Sequence, residues 1–135
     1  MKKLLIALTC LSFVGCAANP AVYKSTSQNY RPKGESSTIK IDAQLAVKQN
    51  LLNKDYAAVF YINNTNQLFF QLDQAGNGSL SCDKDTQDPN HLYHCITHNG
   101  HKIGASCMGS TANGRLASTQ CAFTYDDEIA ANFKF

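Results

Sequence analysis

Four histidines crowd one short stretch, at His91, His94, His98 and His101, and form the densest group of titratable side chains in the chain. Imidazoles at such density are a usual way to hold Zn²⁺ or Cu²⁺. Strand spacing limits the idea: at 3.3 Å per residue, His94 and His98 stand about 13 Å apart, too far to share an ion. A two-histidine site is the most the spacing permits, and solvated hairpin residues are the simpler reading. Other patterns each fail at a named position. The run from Asp73 to Leu80 has the first acid, the Asn and the glycine of a calcium loop, but Ala75 stands at the third ligand and Lys84 at the bidentate Glu. A turn is expected there instead. Gly104-Ala105-Ser106-Cys107-Met108 lacks the closing glycine of a nucleophile elbow. Asp126-Asp127-Glu128 is an acidic trio, yet consecutive turn residues do not converge on a substrate as the paired carboxylates of glycosidases do. No catalytic residue, metal ligand or cofactor is assigned, and the expectation is a protein that is not an enzyme.

The six cysteines must be sorted before their chemistry can be read. Lys2-Lys3 precede an apolar run from Leu4 to Val14 that ends at Gly15-Cys16. A charged, then apolar, then small-residue order is that of a signal peptide. The run is shorter than the roughly 20 apolar residues a spanning helix needs. Phe13-Val14-Gly15-Cys16 resembles the lipobox of bacterial lipoproteins, in which a small residue precedes the cysteine that is acylated and becomes the mature N-terminus. The resemblance covers the leader alone. It implies that residues 1–15 are removed as a lipoprotein signal peptide and that lipid on Cys16 anchors the chain in a membrane. Ala17 stands where an Asp would be expected for inner-membrane retention. Similarity to Gram-negative lipoproteins therefore implies an outer-membrane anchor with the domain facing the periplasm.

Without the leader, Lys2 and Lys3 are lost and the mature chain carries ten basic and ten acidic residues. A formally neutral chain with no basic run lacks the electrostatic footprint of nucleic-acid binding, and that class is set aside. One domain is expected from this length. Cys82, Cys95, Cys107 and Cys121 remain once Cys10 is cleaved off and Cys16 is acylated. An even set in an oxidising compartment reads as two disulfides, since the gaps are far from those of zinc sites.

Residues 16–36 are rich in Pro, Ser, Asn and Lys and read as a flexible lipidated tether, followed by a single β-rich domain over 37–135. Ile39, Ile41, Ala43, Leu45 and Val47 alternate with the strand period. Asp42 could equally cap a helix of good formers from Ala43 to Leu52, and the balance leans to a short strand at 37–41 and one helix near 42–54. Tyr56–Ile62 and Leu68–Leu72, separated by residues 63–67, form an expected hairpin. Large apolar residues there fall at both strand parities, so both faces of that sheet are expected to be covered. Asn99-Gly100 signals a type I′ turn, and Asn113-Gly114 marks another reversal.

Parity then bears on the disulfides. A two-residue loop at Asn99-Gly100 sets His98 against His101, Ile96 against Ile103 and Cys95 against Gly104, which turns Cys95 and Cys107 to opposite faces. A three-residue loop around Asn113-Gly114 brings Cys107 almost opposite Cys121. The expected pairs are Cys107–Cys121 and, by elimination, Cys82–Cys95. The fold expected is a mainly β, small, disulfide-stapled antiparallel sheet, sandwich or barrel. The function expected is a membrane-anchored envelope lipoprotein that acts as a non-catalytic binding or structural module toward an envelope protein. The alternative is a periplasmic inhibitor or immunity-type protein against a hydrolase such as lysozyme.

Overall fold

The computed structural model describes residues 20–82 and 97–135. These build nine strands: β1 (Ala21–Lys24), β2 (Gln28–Tyr30), β3 (Ile39–Gln49), β4 (Lys54–Ile62), β5 (Thr65–Leu72), β6 (Gly78–Ser81), β7 (Ile103–Ala112), β8 (Arg115–Tyr125) and β9 (Glu128–Lys134). They form two antiparallel sheets. In the first, β3 pairs with both β1 and β2 on one side and with β4 on the other, and β5 follows; the second runs β6-β7-β8-β9. One apolar core joins the inner faces of both. Phe60 of the first sheet meets Phe123 and Phe133 of the second, with ring centroids 5.5 and 5.9 Å apart.

The mainly β expectation holds, but residues 42–54 are not a helix. They are most of β3, the β3–β4 connection and the start of β4. Local propensity favoured a helix over Ala43–Leu52; burial decided otherwise. Ile39, Ile41, Ala43 and Leu45 all sit in the core, and only a strand turns every second residue the same way. Within residues 16–36, read as a flexible tether, Ala21–Lys24 and Gln28–Tyr30 differ from expectation. Ala21 pairs with Val47 and Lys24 with Gln44, then Gln28 pairs with Ile41 and Tyr30 with Ile39. The sheet therefore begins at Ala21, not at residue 37.

Three hairpins share one construction. Asn63-Asn64, Asn113-Gly114 and Asp126-Asp127 are two-residue turns with positive φ at both positions, the conformation of type I′. Each turn is followed by two paired residues and then one extra residue: Gln67, Ala117 and Ala130 lie outside the ladder, where the register shifts. One inserted residue reverses which side of the strand faces inward. The shift puts Leu68, Phe70 and Leu72 of β5, Cys121, Phe123 and Tyr125 of β8, and Ala131 and Phe133 of β9 into the core. The loop expected over 63–67 is thus a two-residue turn with a bulge behind it. The same device sets Cys107 opposite Cys121, where a three-residue loop was expected.

Where the sheets meet at one end, the β5–β6 turn folds over β7. Asp73 accepts hydrogen bonds from the Ala75 and Asn77 amides, at 2.9 and 2.8 Å. These hold its carboxyl below the usual range, the Asn77 amide contributing most. Asn77 Oδ1 in turn accepts from the Gly109 amide at 3.0 Å. A Cβ at Gly109 would lie 1.6 Å from the Ala75 carbonyl oxygen, so only glycine admits this close approach. The calcium-loop-like run is a turn that closes the core.

Candidate functional site

The hairpin tips divide between the two ends of the sandwich. Asn99-Gly100 and Asp126-Asp127 lie at the end where residues 31–38 connect β2 to β3, and here the described histidines converge. His98 and His101 form a single bridge across the Asn99-Gly100 turn, as the spacing predicts. Gly104 of β7 pairs with Ser81 on one side and Thr124 on the other, and the Ile103 carbonyl accepts from the Cys82 amide at 2.9 Å. Cys95 and Ile96, expected opposite Gly104 and Ile103, lie outside the described residues.

His101 spends both ring nitrogens on carboxylates. Nδ1 lies 2.7 Å from Asp126 Oδ2, and Nε2 lies 2.9 Å from Glu35 Oε1. An imidazole bonded on both sides to carboxylates is favoured as the cation, which donates from both nitrogens. The Asp126 hydrogen bond is the largest cause lifting His101 above its ordinary 6.5, and the bond from His101 is the largest cause lowering Asp126 below 3.8. The other Asp126 oxygen accepts from the Lys102 amide at 3.0 Å. Beneath them Tyr125 is buried, its ring 4.8 Å from that of His101 and its hydroxyl 3.1 Å from His98 Nδ1. Burial first, then Glu35 and Asp126, pushes the phenol up to about 12. Lys33 and Tyr30 both reach Glu128, and Lys102 Nζ lies 3.2 Å from Asp127.

The arrangement is a clasp between the 31–38 connection and two hairpin turns. A general base needs a free nitrogen facing its proton donor, and Glu35 occupies that place on His101. Glu35 and Tyr30 were not singled out from sequence; Glu35 stands between a glycine and two serines, and nothing local marks it as an ion-pair partner. Among the described residues, no group of three or more His, Cys, Asp or Glu is placed to hold a metal ion. His91 and His94 lie outside the described residues.

Cys107 and Cys121 are bonded across β7 and β8. Cys82 is buried and disulfide-bonded as well; Cys95, its expected partner, lies outside the described residues, as does Cys16. A second polar feature is a shallow depression of about 410 Å³ on the first sheet, lined by Lys24, Ser27, Lys40, Asp42, Gln44 and Tyr61. Ser27 donates to Asp42, and Lys40 Nζ lies 3.2 Å from the same carboxylate.

The clasp makes a titration prediction. His101 contributes stability in full below pH 6.5, and that contribution is lost as pH rises through its raised folded value. Asp126 contributes above pH 3.8, and its share is lost as pH falls through its lowered folded value. The clasp is therefore tightest between these limits. In an NMR titration the His101 midpoint should exceed 6.5 and fall in Asp126→Asn, with a smaller fall in Glu35→Gln. A His101 midpoint at or below 6.5 in the wild type would remove the clasp.

Comparison with family models, with curated proteins and with solved structures finds no match for this chain.

Proposed function

We propose that the protein is an envelope lipoprotein, held in the outer membrane by acyl chains on Cys16, whose β-sandwich binds another envelope protein and catalyses nothing. The observation that carries the non-catalytic part is the clasp. The most concentrated acid–base chemistry among the described residues is consumed in holding a connection to two turns, with no nitrogen of His101 left for a substrate. Lipobox-like residues support the anchor, and two or three acyl chains give stable anchoring because each buried CH₂ contributes about 0.8 kcal/mol. Among the described residues, no helix is long and apolar enough to cross a membrane.

Two measurements test this reading. Cys16→Ala should move the exported protein from the membrane pellet to the soluble fraction; retention in the pellet would sink the anchor. Full-length tagged lipoprotein, captured from envelope extract in mild detergent, should bring down a resident envelope protein. Capture of nothing, together with measurable inhibition of added lysozyme, would replace this function with that of a hydrolase inhibitor.

A further inference from the structure

The end of the sandwich opposite the clasp carries two leucines with no packing. Asn50-Leu51-Leu52-Asn53 joins β3 to β4, and Leu51 and Leu52 are 103% and 92% exposed. The tip is structured around them: the Asn50 amide donates to the Asn53 carbonyl at 2.8 Å, and the Asn50 side chain reaches Asp55. Exposing two adjacent large apolar side chains at a loop tip is unfavourable in water, where each would gain by leaving it.

Chain direction says what meets this tip. β1 is antiparallel to β3, with Ala21 opposite Val47 and Lys24 opposite Gln44. Moving from Lys24 back toward Ala21 therefore moves along β3 toward Gln49 and the leucines. Cys16 precedes Ala21, the start of the sheet, by five residues, and a fully extended chain spans at most about 3.6 Å per residue, so its backbone is tied to within about 18 Å of that point. From Val47 to the end of β3 at Gln49 is about 7 Å at strand rise. The anchor and the leucine tip thus leave the sandwich at the same end. Val22 and Tyr23 of β1 are partly exposed there. Exposed Lys48 and Lys54 flank the tip, with Asp55 opposite Lys48 in the ladder; basic groups in that place suit anionic headgroups.

We propose that Leu51 and Leu52 are a second membrane attachment: they insert into the headgroup and acyl boundary of the bilayer that holds the lipid on Cys16. The proposal rests on the anchor reading above. Two attachments at one end fix the sandwich upright, with the Glu35–His101–Asp126 clasp and its end facing away from the membrane.

The chain has no tryptophan, so one introduced indole reports alone. Full-length lipidated protein carrying Leu52→Trp is reconstituted into phosphatidylethanolamine–phosphatidylglycerol vesicles, with and without brominated acyl chains. Bromine should quench the indole at position 52 by about half or more, as for a group seated 5–10 Å into the boundary, and should leave Ser36→Trp at the far end nearly unquenched. An indole is itself drawn to interfaces, so the native tip is read by proteolysis. Trypsin should cut after Lys48 and Lys54 of the vesicle-bound wild type at least about tenfold more slowly than in a Leu51→Ser, Leu52→Ser variant bound to the same vesicles. Vesicle-bound protein with equal quenching at positions 52 and 36, or with equal cleavage of the two tips, overturns the insertion and leaves the anchor standing. A wild type that stays in solution with Cys16 unmodified by mass overturns both.

Discussion

Phe60→Ala should lower the unfolding free energy by about 3–5 kcal/mol, the range for truncating a buried aromatic side chain. Phe60 is fully buried, two residues from the end of β4. Its ring stacks on Phe70 at 6.2 Å within its own sheet and meets Phe123 and Phe133 from the other. Such pairs are worth about 0.5–1.5 kcal/mol each beyond burial, so removal opens a cavity where the two sheets meet. A domain of this kind has only about 5–15 kcal/mol in all. Urea melts should show the midpoint fall sharply with the slope unchanged. Phe69→Ala, half-buried on the other face of the same sheet, should cost clearly less. Equal losses at the two positions would mean that the shared core does not hold the sheets together.

The second large effect is the disulfide. Cys107 and Cys121 close a loop of sequence separation 14, and a crosslink over about 15 residues contributes roughly 3 kcal/mol, mainly by restricting the unfolded chain. Cys107→Ala with Cys121→Ala should lose about that amount. Because the β7–β8 ladder pairs ten residues on each strand independently of the bond, the variant should retain its β-sheet circular dichroism at room temperature while melting earlier. An unchanged melting temperature would show that the hairpin is already as restricted without the bond. A lost fold would show that the ladder depends on it.

Both effects depend on features of different legibility. The turns were readable, because Asn-Gly tolerates positive φ at both positions and few other pairs do; Asn99-Gly100 and Asn113-Gly114 both turn as expected. Asn63-Asn64 and Asp126-Asp127 turn in the same way with weaker signals. The Cys107–Cys121 pairing was readable in outcome but not in route. A three-residue loop and a two-residue turn with one bulged residue produce the same offset, and no residue type marks Ala117 as the extra one. The helix expected near 42–54 failed for a related reason. Ala, Gln, Leu and Lys are good local helix formers, while the need to fill a central strand between β1, β2 and β4 is imposed by residues far away in the chain.

The clasp shows the same limit. His98 and His101 could be set across a turn from their spacing alone, but Glu35 lies in another part of the chain, and its approach to His101 depends on β2 and β3 carrying the 31–38 connection to the same end as two hairpins. The lipobox-like leader, the alternation along β3, the turn pairs and the even set of cysteines are local patterns of neighbouring residues, legible without the fold. Which strands became neighbours, where the bulges fell, which carboxylates closed on His101, and that Leu51-Leu52 stands at the end where Ala21 opens the sheet were set by the folded arrangement. Those depend on burial and pairing between residues distant in sequence, which no local preference encodes.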